Sequence, residues 1–253
     1  MVDVHCHLAD ERYDEDLEGV VKRADKAGVM MISCGINLEN SIKTIEIAQK
    51  FENVWACVGI HPEEIINFKF SIFNELKNLT RQKKVVGFGE IGLDYRVETS
   101  ERDRKKQREL FEAQLQLAEE FKLPVQVHNR GADEDVWRVV TQHKVTGVMH
   151  CFTRSQDFMR KCTEAGWTLS FGGLLTYDHN QKMQKVMMTT PETSLLLETD
   201  SPYSVPKPLS TEVNEPANIW TIAETMAKLR QVSIERINRV ATDNAIRIFN
   251  IKN

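Results

Sequence analysis

The chain is short of the features that mark several common protein classes. It has no Cys-x-x-Cys pair, which argues against a thiolate zinc site or a redox dithiol. Its five cysteines, an odd number in 253 residues, read as reduced thiols rather than a disulfide framework. Cys34 and Cys57 lie in strand-like runs and are expected as small buried hydrophobes. Glycine is sparse, at 12 residues, and no Gly-rich loop follows the first apolar run. The segment there reads His5-Cys6-His7-Leu8-Ala9-Asp10, which excludes a dinucleotide fingerprint at that place. No stretch reaches transmembrane length and no basic-then-apolar leader opens the chain, so a cytoplasmic protein is expected. Neither sign of charge dominates: the formal net charge is -4, with no global basic footprint. Repeats, low-complexity tracts and Pro/Ser-rich linkers are missing too, so residues 1–253 read as one domain.

What is present is alternation. Hydrophobic content of 41% and charged content of 28% suit a soluble globular chain. Strand-type runs fall at 2–5, 29–34, 54–58, 84–88, 124–128, 146–150, 167–171 and 194–198. Helical patterns lie near 14–27, 38–51, 70–80, 101–122, 133–143, 155–165 and 180–188, and 216–230 and 233–248 close the chain. Gly28, Gly147 and Gly166 sit where a helix must turn into the next strand. Eight strands, each followed by a helix, predict an α/β fold: a closed parallel (β/α)8 TIM barrel, with an open doubly wound sheet as the rival. The longest irregular segment, Ser201 to Glu215, leaves the last strand, where a long loop is commonly functional.

His5 and His7 are two apart on the first strand, so their rings point the same way while Cys6 points the other. Four more ligand-type residues each follow a strand-like run: Glu90, His128, His150 and Asp200. In a barrel all six lie on the C-terminal rim, where barrel active sites are built. Four histidines and two carboxylates exceed the needs of one four-coordinate ion. They suit two ions sharing a bridging carboxylate, hence metal-assisted hydrolysis.

These residues sit in segments with a clear resemblance. They are Val4 to Leu8, Val58 to Pro62, Gly89 to Tyr95, Val127 to Arg130, His150 to Thr153, Leu197 to Tyr203 and Asn214 to Pro216. The chain resembles the TatD family of metal-dependent deoxyribonucleases, within the amidohydrolase superfamily, from first strand to last. The resemblance implies a nuclease with two divalent ions per chain (Mg, Mn or Zn) and DNA as substrate, of the 3'-5' exonuclease type. It implies one ion on His5, His7, Glu90 and Asp200, and a second on Glu90, His128 and His150. Glu90 would bridge, and Asp200 would also take the proton of the attacking water. The alternative is an amidohydrolase or esterase acting on a small amide, lactone or aminoacyl ester with the same two ions. The loop Val205 to Val213 holds only one base, Lys207, where bacterial members of the family often carry a basic stretch.

Other polar residues are weighed against plainer readings. His61 ends the third strand and is expected to face the site, binding substrate phosphate or orienting a carboxylate rather than holding metal. Arg130 and Arg154 are expected substrate contacts, and Phe152 and Tyr203 offer faces for base stacking. Asp94 is either support for a ligand or a turn residue. His143 and His179 end no strand and read as surface or satisfied residues, and Arg102 to Lys106 as a solvated helix face. Glu215 is expected to bond backbone near the helix start at Pro216. Trp137, Trp167 and Trp220 read as packing. No extended apolar helix face is evident, so a monomer without membrane contact is expected.

Overall fold

The structure, a computed structural model, describes residues 1–66, 72–96 and 100–251. Eight strands form one parallel sheet in sequential order: β1 Val2–Cys6, β2 Met30–Cys34, β3 Val54–Val58, β4 Val85–Asp94, β5 Val125–Arg130, β6 Gly147–Met149, β7 Thr168–Phe171 and β8 Leu195–Leu197. The sheet curls into a nearly closed barrel. At the joint between last and first strand, a single bridge pairs Cys6 with Ser201. Asp200 N–H donates to His5 O at 2.9 Å and His7 N–H to Ser201 O at 2.7 Å. The buried Asp3 carboxylate reinforces the joint by accepting from Thr199 N–H (2.9 Å) and Thr199 Oγ1 (2.5 Å). Burial pushes the Asp3 carboxyl up to about 8, despite the hydrogen bonds that Thr199 and His5 donate to it.

The helices are α1 Leu17–Lys26, α2 Leu38–Lys50, α3 Ile72–Leu79, α4 Glu101–Phe121, α5 Asp133–Val140, α6 Gln156–Glu164, α7 Gln181–Thr189, α8 Ile219–Arg230 and α9 Ile234–Phe249. The sequence logic is clearest in α4. Ser100 caps its start by accepting from Asp103 N–H, Leu110, Phe111, Leu115 and Ala118 bury one face, and Lys122 stops it in the left-handed region at φ 55°. Two of the expected helices start later. Residues 11–13 form a short 3-10 turn, which delays α1, and a second turn at 216–218 precedes α8. Residues 70 and 71 of the expected helix 70–80 lie outside the described residues.

β4 runs on to Asp94, well beyond the expected 84–88. Its apolar pattern lapses at Gly89-Glu90, but pairing with β5 carries the strand forward. Phe88 pairs with Val125 and Ile91 with Val127, so β4 holds one extra residue: a β-bulge. The bulge reverses the inside-outside alternation. Phe88 and Ile91, three apart, both join the outer core, and Glu90 is thereby turned into the barrel. Gly89 fits here because a Cβ would stand 2.7 Å from the Gln126 Cβ, and Gly92 because it takes φ +146° with His128 O at 2.0 Å from any Cβ. Below the site, Ile32, Cys34, Cys57, Val148 and Leu196 form a second buried cluster with Phe249 and Ile251. All five cysteines are free thiols.

Candidate metal centre

His5 and His7 at the end of β1, Glu90 within β4, His128 within β5, and His150 and Asp200 just beyond β6 and β8 lie together in the structure. His5 Nε2 and His7 Nε2 are 3.2 Å apart. His7 Nε2 is 3.6 Å from Asp200 Oδ1, and His150 Nε2 is 3.9 Å from the same oxygen. The two oxygens of Glu90 face different neighbours. Oε2 lies 3.5 Å from both His5 Nε2 and His7 Nε2, while Oε1 lies 2.7 Å from His128 Nδ1 and 3.5 Å from His150 Nε2. The His5 and His150 rings stack with centroids 3.6 Å apart.

Each of these rings is held by its far nitrogen. His5 Nδ1–H donates to Gln126 Oε1 at 2.8 Å, and the Gln126 amide is oriented by its own N–H bond to Val4 O. His7 Nδ1–H donates to Cys34 O at 3.1 Å and His150 Nδ1–H to Glu198 Oε2 at 2.9 Å. His128 is reversed: Nε2–H donates to Asp94 Oδ2 at 2.9 Å, and Nδ1 faces the centre. Because each partner can only accept, the opposite nitrogen of a neutral ring carries a lone pair. Three Nε2 lone pairs and one Nδ1 lone pair therefore converge with two carboxylates. Ligand atoms about 2.1 Å from one ion stand roughly 3–3.5 Å apart. The His5–His7 spacing of 3.2 Å and the 3.5 Å spacings of Glu90 to His5, His7 and His150 fall in that range, while His128 Nδ1 stands closer to Glu90, at 2.7 Å. The donor set fits divalent ions with imidazole and carboxylate preference.

The electrostatics show a centre that draws in positive charge, which protons on the rings or bound cations can supply. Burial works against the charges of Glu90 and Asp200, but the surrounding histidine rings hold both carboxyls below their ordinary values. Burial also opposes charge on His128, yet its bonds to Asp94 and Glu90 lift it to about 9. His150 is lifted to about 10 by Glu198 and Glu90 against the same burial cost. His5 goes the other way, lowered first by burial and then by the charge of His150.

Sequence reasoning missed Gln126 and Glu198. Glu198 is fully buried on the end of β8 and also accepts from Cys151 N–H (2.8 Å) and Ser170 Oγ (2.5 Å). The period-two rule that pairs His5 with His7 extends to Gln126, which shares a face of β5 with His128, while Glu198 lies just past β8 where the rule no longer applies. Asp94 is support rather than a simple turn residue, since its Oδ2 also faces Arg130 at 3.7 Å.

A cavity of about 1160 Å³ opens over the centre and receives the expected contacts unevenly. His61, Arg130, Arg154 and Tyr203 all line it. Tyr203 has Arg12 stacked on one face, 4.1 Å from the ring centre. Phe152 is corrected: it is 2% exposed and packed between Phe158 and Phe171, so it offers no face to a base. His179, read as a surface residue, is exposed but stands on the cavity wall with Lys182. Glu215 bonds the Arg23 guanidinium at 2.7 and 2.8 Å rather than backbone. Arg96, Arg130, Arg154 and Lys182 give the mouth four cations, grouped beyond β4 to β7, while Asp10 and Glu63 sit among the remaining wall residues.

Fold and donor set together define a barrel hydrolase of the metal-dependent class. The chain belongs to the TatD related DNase family, whose pattern matches residues 2–250. It is 36% identical over 255 residues to a Bacillus subtilis protein named uncharacterized metal-dependent hydrolase YabD, covering 99% of each chain. It is 28% identical to the 3'-5' ssDNA/RNA exonuclease TatD of Salmonella typhimurium, again over 99% of each. Among solved structures, the Escherichia coli TatD homolog YjjV superposes with a TM-score of 0.92 at 27% identity, covering 100% of this chain and 98% of that one.

Proposed function

We propose that the chain is a divalent-metal-dependent nuclease that cleaves phosphodiester bonds of DNA at a two-ion centre. The observation that carries this reading is the Glu90 carboxylate, with one oxygen toward His5 and His7 and the other toward His128 and His150. His5, His7, Asp200 and Glu90 Oε2 would hold one ion, and Glu90 Oε1, His128 and His150 the other. Bound there, two ions would supply Lewis-acid charge to the phosphoryl group and bring a water's pKa near neutral. Mg, Mn and Zn are the candidates; the imidazole donors favour Zn, and the carboxylates suit Mg and Mn.

The protein's own groups do the rest. Asp200, kept ionised by His7 and His150, accepts the proton of the attacking water. A water oxygen–phosphorus bond forms, the phosphorus–ester oxygen bond breaks, and the leaving oxygen departs protonated from solvent. Arg130 and Arg154 bind neighbouring phosphates, and the open face of Tyr203 receives a base. The cavity exceeds the roughly 300–1,000 Å³ of ordinary small-molecule sites, which favours a polymer over a small amide or ester. The four mouth cations supply the phosphate contacts that the Val205–Val213 loop lacks. Among the described residues no helix is long and apolar enough to cross a membrane, and the free thiols support a cytoplasmic location.

The test is cleavage of end-labelled single- and double-stranded DNA by apo protein reconstituted with Mg²⁺, Mn²⁺ or Zn²⁺. Stepwise shortening from the 3' end by wild type, and none by Asp200→Asn, is the expected result. Metal-loaded wild type that leaves every DNA intact would turn the assignment toward a small ester or amide.

A further inference from the structure

His61 stands among the candidate ligands by distance and apart from them by hydrogen bonding. Its Nε2 is 3.5 Å from Glu90 Oε1, the same distance as His150 Nε2. Its ligand atom clusters with those of Glu90 and His128 within 4.8 Å. Proximity alone would make it a third nitrogen on the second ion.

The far side of the ring says otherwise. Pro62 opens a 3-10 turn, Pro62–Ile66, and has no N–H to offer, so the first free donor is the Glu63 N–H. That N–H donates to His61 Nδ1 at 3.2 Å. A ring nitrogen that accepts carries no proton, so the neutral ring has its proton on Nε2, the nitrogen facing the centre. The opposite arrangement would point Nδ1–H at the Glu63 N–H, with Glu63 Oε2 too far, at 3.7 Å, to accept it. His5, His7, His128 and His150 each donate outward and turn a lone pair inward. His61 accepts from behind and turns an N–H inward. The ring is well anchored, with its backbone N–H on Ile36 O at 2.7 Å and its ring edge-on to His128. The 3.5 Å gap to Glu90 is longer than a good N–H···O bond, and the residue lines the cavity.

Resting on the phosphodiesterase reading, we propose that His61 is not a metal ligand. It is a neutral N–H donor to a non-bridging oxygen of the scissile phosphate. It strengthens its hydrogen bond as that oxygen gains charge during attack, the role of a preorganised donor at a developing anion.

Nitrogen-15 histidine spectra of the cadmium-113-loaded wild type read the assignment directly. Cadmium coupling is expected at Nε2 of His5, His7 and His150 and at Nδ1 of His128, and none at His61, whose Nε2 keeps its proton. With Mn²⁺ and thymidine 5'-p-nitrophenyl phosphate, His61→Ala should keep the wild-type metal count. It should lose about 10²–10³-fold in kcat with little change in KM. His61→Gln, which returns an N–H near the same place, should recover about tenfold of that loss. Cadmium coupling at His61, or loss of an ion in His61→Ala, overturns the proposal, and so does an unchanged kcat in that variant. If loaded wild type hydrolyses no phosphodiester, the donor role falls with the parent reading, and the cadmium spectrum alone still decides whether His61 is a ligand.

Discussion

The centre and the mouth of the cavity are built on opposite terms. In the centre His5 is fully buried, Glu90 is 4% exposed, and each candidate ligand histidine has its far nitrogen tied to a fixed acceptor. At the mouth the Arg130 side chain is 46% exposed and, among the described residues, has one loose contact, 3.7 Å to Asp94. Among the described residues Arg154 reaches Thr153 and, at 3.6 Å, Asp133. Geometry at the centre is imposed by strands and buried partners, so it serves chemistry that tolerates little displacement. The mouth side chains keep rotamer freedom and water, so they serve recognition and can change without disturbing the fold.

The sharpest way to break this comparison is Asp200→Asn. His5, His7 and Glu90 remain, so metal should stay largely bound while turnover falls by about 10²–10⁴-fold. Turnover retained in metal-loaded mutant protein would remove Asp200 from its role. Glu198→Gln comes next. It touches no substrate, yet leaves His150, Cys151 N–H and Ser170 with a poorer acceptor. Chelator competition should show metal affinity down by about 10–100-fold. Affinity equal to wild type would mean that the buried partner is not holding the ring.

At the mouth the expected effects are smaller and depend on salt. Replacing Arg130, Arg154 and Lys182 by Ala should raise KM for oligonucleotides more than for a small chromogenic diester. Each lost phosphate contact should lower the slope of log(kcat/KM) against log salt by about 0.7. A slope identical to wild type would place the phosphates elsewhere. The smallest effect is at Asp10, whose carboxyl the Arg12 guanidinium holds down to about 2. A depressed carboxylate adds stability above its unfolded value near 4 and loses it as pH falls toward 2. Arg12→Ala should therefore be less stable than wild type near neutrality, by no more than about 1 kcal/mol because the pair is partly exposed, and the gap should close in acid. Urea unfolding at several pH values measures it, and a gap that widened in acid would contradict the sign.

The order of elements was legible because apolar runs and helical spacing are local. The barrel strands end within a residue or two of their expected places except β4. There the bulge at Gly89-Glu90 and the polar Asp94 hide a strand that only its partner β5 reveals. The six candidate ligands were legible because each ends an apolar run. Glu198 was not, since a buried acid after Leu195-Leu196-Leu197 looks like a strand end meeting solvent. The four mouth cations come from a turn, the end of β5, a loop and α7, and no spacing along the chain connects them.

The joint between β8 and β1 gives the centre a mechanical meaning. The backbone bonds that close the barrel run through His5, His7, Asp200 and Ser201, and the donors His5 and His7 lie on one side of that seam with Asp200 on the other. An ion held by all three would act as a clasp across the thinnest stitching in the ring, linking the first strand of the chain to the last. The same atoms would then fasten the barrel and carry out its chemistry, so loss of the ion would loosen the wall on which its own ligands stand.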